Sequence, residues 1–79
     1  MLPRLTDREE QVLKLIAHGL TNKEISCYLL ISVATVENHI HHIYEKLGIS
    51  NRAQAVAHAF RSRIITPQND IVENRGNPS

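Results

Sequence analysis

Glu37, Asn38 and His41 lie on one side of residues 33–47, a stretch whose other side is apolar, and all three carry groups that hydrogen-bond well to flat polar edges. An asparagine amide pairs bidentately with adenine, a carboxylate accepts from the N4 amino group of cytosine, and an imidazole donates to N7 or O6 of guanine. A second set, Thr21, Asn22 and Lys23, stands at the start of another helical stretch. There, unpaired backbone N–H groups and the positive end of the helix dipole attract phosphate. Thr35, Lys46 and Arg52 could complete such a clamp, with His39 joining it. The competing reading of the first set is a solvated helix face with a Glu37–His41 pair one turn apart. Ordinary surface exposure competes for each member of the second.

These side chains need a rod to hold them. Val36, Ile40, Ile43 and Leu47 fall within about 60° of one another at 100° per residue, so a helix over 33–47 has one apolar stripe. Ser32 is its N-cap and Gly48 its stop. Opposite the stripe lie Ala34, Asn38, His41 and Glu45, flanked by Glu37 and His42. A helix seated by one narrow stripe leaves most of its circumference free to enter a DNA major groove about 12 Å wide.

Thr6-Asp7-Arg8-Glu9 has the form of a capping box and opens a helix over 7–18, with Val12, Leu13, Leu15, Ile16 and Leu20 supplying its apolar face. His18-Gly19 reads as its last turn, closed by a left-handed glycine. Thr21-Asn22-Lys23-Glu24 repeats the box for a helix over 22–30, with Leu20 and Ile25 at the positions of a hydrophobic staple. Ser50 is expected to cap a fourth helix over 51–63. Its buried stripe is expected to be Ala53, Val56, Ala57, Phe60 and Ile64, with Ala55 and Ala59 forming a shallow strip beside it. The expectation is an all-α fold, a compact four-helix domain over residues 1–65 containing a helix-turn-helix. A polar, Asn- and Pro-containing tail over 66–79 is expected to be flexible.

Composition narrows the function classes. The 79 residues fit one small domain, and nine Lys and Arg against eight Asp and Glu leave a net charge of only +1. Charge alone is a weak case for nucleic acid. Cys27 is the single cysteine, which excludes an intramolecular disulfide and a multi-thiolate metal site, and it reads as a small buried filler. His39 and His42 are one turn apart, but a structural zinc site needs four ligands of matched geometry and no such set is evident, so no metal is expected. No nucleophile meets a base, no carboxylates are paired across a cleft, and no glycine-rich phosphate loop is present; neither enzymatic activity nor a cofactor is expected. No stretch approaches the roughly 20 apolar residues of a membrane span and no signal sequence is seen, so no membrane partner and a cytoplasmic location are expected. His18 and His58 read as surface or helix-end residues.

Taken together, Leu5-Thr6-Asp7-Arg8-Glu9, Val12-Leu13, Gly19-Leu20-Thr21-Asn22-Lys23-Glu24-Ile25, Leu29, Ile31-Ser32, Thr35-Val36, Asn38-His39, Lys46-Leu47-Gly48, Asn51-Arg52 and Ala55-Val56 resemble the LuxR-type (NarL/FixJ/GerE-like) DNA-binding domain. The resemblance covers about Leu5 to Ile65. It implies a bacterial transcription regulator whose second and third helices form the helix-turn-helix, with the third reading an inverted repeat in double-stranded DNA. It also implies that the fourth helix makes a homodimer on DNA, for which Ala55, Ala59 and Ser62 are the expected interface, although alanine at 55 and 59 is equally explained by helix propensity.

In this family the domain is the effector of a response regulator, attached to a receiver or a ligand-binding domain. That leaves open a regulatory domain N-terminal to these residues, and RNA polymerase as a further partner. One departure stands out: members often carry lysine directly after Thr-Val, and here that residue is Glu37. The cationic potential of the third helix then depends on Lys46 and on His39, His41 and His42. The alternative function is a helical protein-protein interaction module with the same fold, using the third or fourth helix on a protein partner.

Overall fold

The computed structural model describes residues 4–64, in which four helices follow in chain order: α1 Asp7–Ala17, α2 Asn22–Leu29, α3 Val33–Leu47 and α4 Arg52–Arg61. No strand occurs among the described residues. The tail expected over 66–79 lies outside them. The all-α reading holds, and α3 has the expected bounds, while α1, α2 and α4 end one or two residues earlier than the sequence suggested.

Both capping boxes form. Thr6 Oγ1 accepts from Glu9 N at 3.1 Å while Glu9 Oε1 accepts from Thr6 N at 2.9 Å. The same exchange joins Thr21 and Glu24 at 3.1 and 2.8 Å. Each box satisfies two backbone donors that a helix start would otherwise leave open, and such a cap contributes about 1 kcal/mol. At the far end of α1, Gly19 takes φ +92°. Its N–H donates to Ile16 O and that of Leu20 to Leu15 O, the pattern of a Schellman turn.

One cap differs from the expectation. α4 begins after Asn51, whose Oδ1 accepts from Gln54 N at 2.9 Å, and not after Ser50. Gln54 reaches back to Ser50, its Oε1 accepting from the Ser50 backbone N–H at 2.7 Å. Ser50 therefore takes part as a donor one residue ahead of the cap.

α1 packs against both α3 and α4, and α2 lies on α3. Val12, Leu13 and Ile16 of α1 meet Ile25, Val36, Ile40 and Ile43 in one buried cluster. Leu47 packs at its edge. The stripe expected of α3 is thus the side that seats it.

α4 corrects the sequence reading. Ala55 and Ala59, expected on an outer strip, are both 0 % exposed and belong to the core, whereas Ala53 and Ala57, expected inside, are exposed. The physical reason is close approach: α4 lies against α1, and an alanine admits a neighbouring helix nearer than a larger side chain would. Val56, Phe60 and Ile64 keep their place as half-buried partners of the core. Cys27 is a second correction, because it is exposed on α2 and fills no interior space.

Candidate nucleic-acid interface

α3 is the element that can present side chains to a groove, and its geometry follows from its seating. With Val36 and Ile43 fully buried and Ile40 nearly so, the opposite arc carries Glu37, Asn38, His41, His42 and Glu45, all exposed. The three residues expected to reach base edges therefore share one accessible face. His41 Nε2 lies 3.4 Å from Glu45 Oε2. The partner of His41 is thus the glutamate one turn later, not Glu37 one turn earlier. Among the side chains of this face, the two glutamates are the carboxylates and no Lys or Arg joins them, so the arc is suited to hydrogen bonding with base edges more than to clamping phosphate.

The α2 N-terminus stands apart from this arc and carries Thr21, Asn22 and Lys23. Thr21 and Lys23 are exposed and Asn22 is half-buried. Thr35, at the start of α3, is half-buried, with its Oγ1 2.9 Å from Ser32 Oγ and its N–H donating to Ser32 Oγ at 3.0 Å. His39 is half-buried on the flank of α3.

Two cations expected in the phosphate clamp are engaged inside the protein. Lys46 Nζ donates to Glu9 Oε1 at 2.7 Å and to Arg4 O at 3.3 Å. Its side chain is 24 % exposed against 6 % for Glu9. Burial pushes the Glu9 carboxyl up, but the hydrogen bonds from Lys46 and Thr6 and the Lys46 charge outweigh it and hold the group below the usual carboxylate range. Lys46 therefore has a structural role within the domain, its ammonium neutralising a buried carboxylate. Arg52 donates through one guanidinium nitrogen to Asn22 Oδ1 at 2.8 Å and through the other to Leu20 O at 2.7 Å.

Glu9 is the residue that sequence reasoning placed only in part. Its capping role was legible three residues from Thr6, but its second partner lies 37 positions away, and nothing local encodes that. Ser62 remains exposed just after α4, while Ala55 and Ala59, buried as described, cannot meet another chain. No helix of the described residues is long and apolar enough to cross a membrane.

Comparison with known proteins agrees with this architecture. The family of bacterial regulatory proteins termed the luxR family matches residues 3–59. The transcriptional regulatory protein LiaR of Bacillus subtilis is 48 % identical over 61 residues, covering 77 % of this chain and 29 % of the relative. The probable transcriptional regulatory protein NarL of Mycobacterium tuberculosis is 44 % identical over 63 residues, covering 80 % of this chain and 29 % of that protein. The chain thus spans under a third of the length of these relatives. Among solved structures, the response regulator ChrA of a heme-sensing two-component system superposes with a TM-score of 0.74 at 41 % identity, covering 80 % of this chain and 31 % of that one.

Proposed function

We propose, from the premise that the chain belongs to the luxR family of bacterial regulatory proteins and is a helix-turn-helix DNA-binding domain, that it binds a specific inverted repeat as a homodimer and regulates transcription there. α3 enters the major groove with Asn38 directed to adenine, Glu37 to the N4 amino group of cytosine and His41 to guanine. Thr21, Asn22 and Lys23 hold phosphates at the start of α2, helped by Thr35 and His39. The observation that carries this reading is the division of α3 into a buried stripe of Val36, Ile40 and Ile43 and an exposed arc of Glu37, Asn38 and His41.

Dimer formation falls to the outward side of α4, where Ala53, Ala57 and Ser62 are exposed. Two copies related by a two-fold axis would read half-sites about one helical turn, roughly 10 bp, apart. A regulatory domain that receives the signal and a contact with RNA polymerase extend the same reading, supported by relatives that are named as response regulators. The place of action is the bacterial cytoplasm, where the chromosome lies.

Selection of bound sequences from a random duplex pool, followed by footprinting, tests the proposal. Enrichment of a two-fold symmetric site protected over two half-sites is the expected result. Protection of one asymmetric site at every protein concentration overturns the dimer. Failure to enrich any sequence, with no gel shift on random duplex at low salt, overturns DNA binding in favour of a protein-interaction module.

A further inference from the structure

Arg52 is the first residue of α4, yet both of its hydrogen bonds run to the start of α2, on either side of the Thr21 cap. One arm of the guanidinium meets the carbonyl of Leu20, just before the cap, and the other meets the side chain of Asn22, just after it. Both distances, 2.7 and 2.8 Å, are short for N–H donors, and the bonds are partly withdrawn from water. A planar fork of donors makes such a double contact, whereas an ammonium is a point charge that cannot span the two acceptors in one plane.

The chemistry of the pair fixes the asparagine. A guanidinium has donors only, so the amide must turn its oxygen toward Arg52, and its Nδ2 group, with both hydrogens, points away from the guanidinium. An asparagine free to flip must be turned by the approaching phosphate itself, at a cost in ordering. Held in this way it presents a donor.

We infer that Arg52 is a positioning residue for DNA binding, which locks the Asn22 amide in the orientation that donates to a backbone phosphate and does not itself contact one. This rests on the proposed phosphate site at the start of α2. Arg52 thereby couples α4, the proposed dimer helix, to the phosphate contacts of the helix-turn-helix.

The test uses the whole chain and the duplex enriched by selection, with thermal unfolding followed alongside. Arg52→Met lowers affinity about tenfold while the slope of log K against log salt stays at the wild-type value. A direct phosphate contact would instead reduce that slope by about 0.9, and this outcome overturns the inference. Arg52→Lys fails to restore affinity, because it keeps the charge and loses the fork; full restoration overturns the inference as well. Asn22→Asp keeps an acceptor for Arg52 but turns a carboxylate oxygen toward the phosphate, so binding falls more than tenfold with no loss of thermal stability.

A thermal double-mutant cycle between Arg52→Met and Asn22→Ala, each of which removes one partner of the contact, reads the link without DNA. A positive coupling is expected, and additive effects overturn the Arg52–Asn22 lock. If the wild-type chain binds no duplex at low salt, the phosphate site itself is refuted and the role of Arg52 in binding falls with it, a result distinct from an altered slope in a chain that binds.

Discussion

Lys46 Nζ, in the last turn of α3, lies 2.7 Å from Oε1 of Glu9, in the first turn of α1, and that same oxygen accepts from the Thr6 backbone N–H at 2.9 Å. One carboxylate therefore closes a helix start and ties α3 to the rest of the domain. Lys46→Met leaves Glu9 with its backbone donor and only the His42 imidazole, 4.0 Å from its other oxygen, in a place where water reaches it poorly. The expected loss is about 2 kcal/mol in chemical denaturation, within the roughly 1–3 kcal/mol of a buried group left short of a partner and below the roughly 3–5 kcal/mol of a fully buried ion pair that is broken, because Lys46 is partly exposed. A loss below about 0.5 kcal/mol would show the contact to be a surface pair of little consequence.

The same carboxylate makes the domain acid-sensitive. Its group is held below the usual range in the folded state, so the unfolded chain binds the proton more readily and acid favours unfolding. The sign follows: the contribution is complete above the unfolded glutamate value, about 4.3, and disappears as pH falls through the lower folded value. Thermal unfolding from pH 6 to 3 should therefore show a stability loss that Glu9→Gln flattens. Equal pH profiles for the two proteins would contradict this.

Leu30 occupies the left-handed region at φ 59° and ψ 44° and is 89 % exposed. A left-handed conformation costs a residue with a Cβ about 1–2 kcal/mol, and glycine returns about 0.5–1 kcal/mol of that through its extra freedom in the unfolded chain. Leu30→Gly is thus expected to stabilise the domain by about 0.5–1 kcal/mol, measured by denaturant unfolding, without weakening DNA binding. Destabilisation would mean that the exposed leucine makes a contact worth more than its strain.

The contrast between α3 and α4 shows what was legible in the sequence. α3 is written in large contrasts, with branched aliphatics on one side, charged and amide groups on the other, Ser32 before it and Gly48, at φ 68°, after it. α4 is rich in alanine, which is hydrophobic enough to be buried and small enough to be exposed, so periodicity placed Val56, Phe60 and Ile64 correctly but exchanged the inner and outer alanines. The Leu30 turn and the Glu9–Lys46 and Asn22–Arg52 links depend on how separate helices meet. No window of a few residues contains them.

Burial of Ala55 and Ala59 carries its own test. Ala59→Leu adds three carbons where α4 lies against α1 and should cost about 1–3 kcal/mol by overpacking. Ala57→Leu, on the exposed side of α4, should leave monomer stability within about 0.5 kcal/mol. If instead Ala57→Leu destabilises the monomer and Ala59→Leu does not, the faces of α4 are reversed.

On the proposed reading, Glu37 governs how the exposed arc of α3 meets DNA, since a carboxylate there repels phosphates and pairs best with cytosine, whose major-groove edge offers a donor alone. Its cost in affinity is a gain in selectivity, because a wrong base leaves a desolvated charge without a partner. Glu37→Lys reverses both effects. Affinity for random duplex should rise and the slope of log K against log salt should steepen by about 0.9, as one more cation displaces a counterion. Selection should then replace cytosine by guanine at one position of each half-site, because lysine donates to O6 and N7. An unchanged base preference together with an unchanged slope would place Glu37 outside the groove and leave Asn38 and His41 to read the site alone.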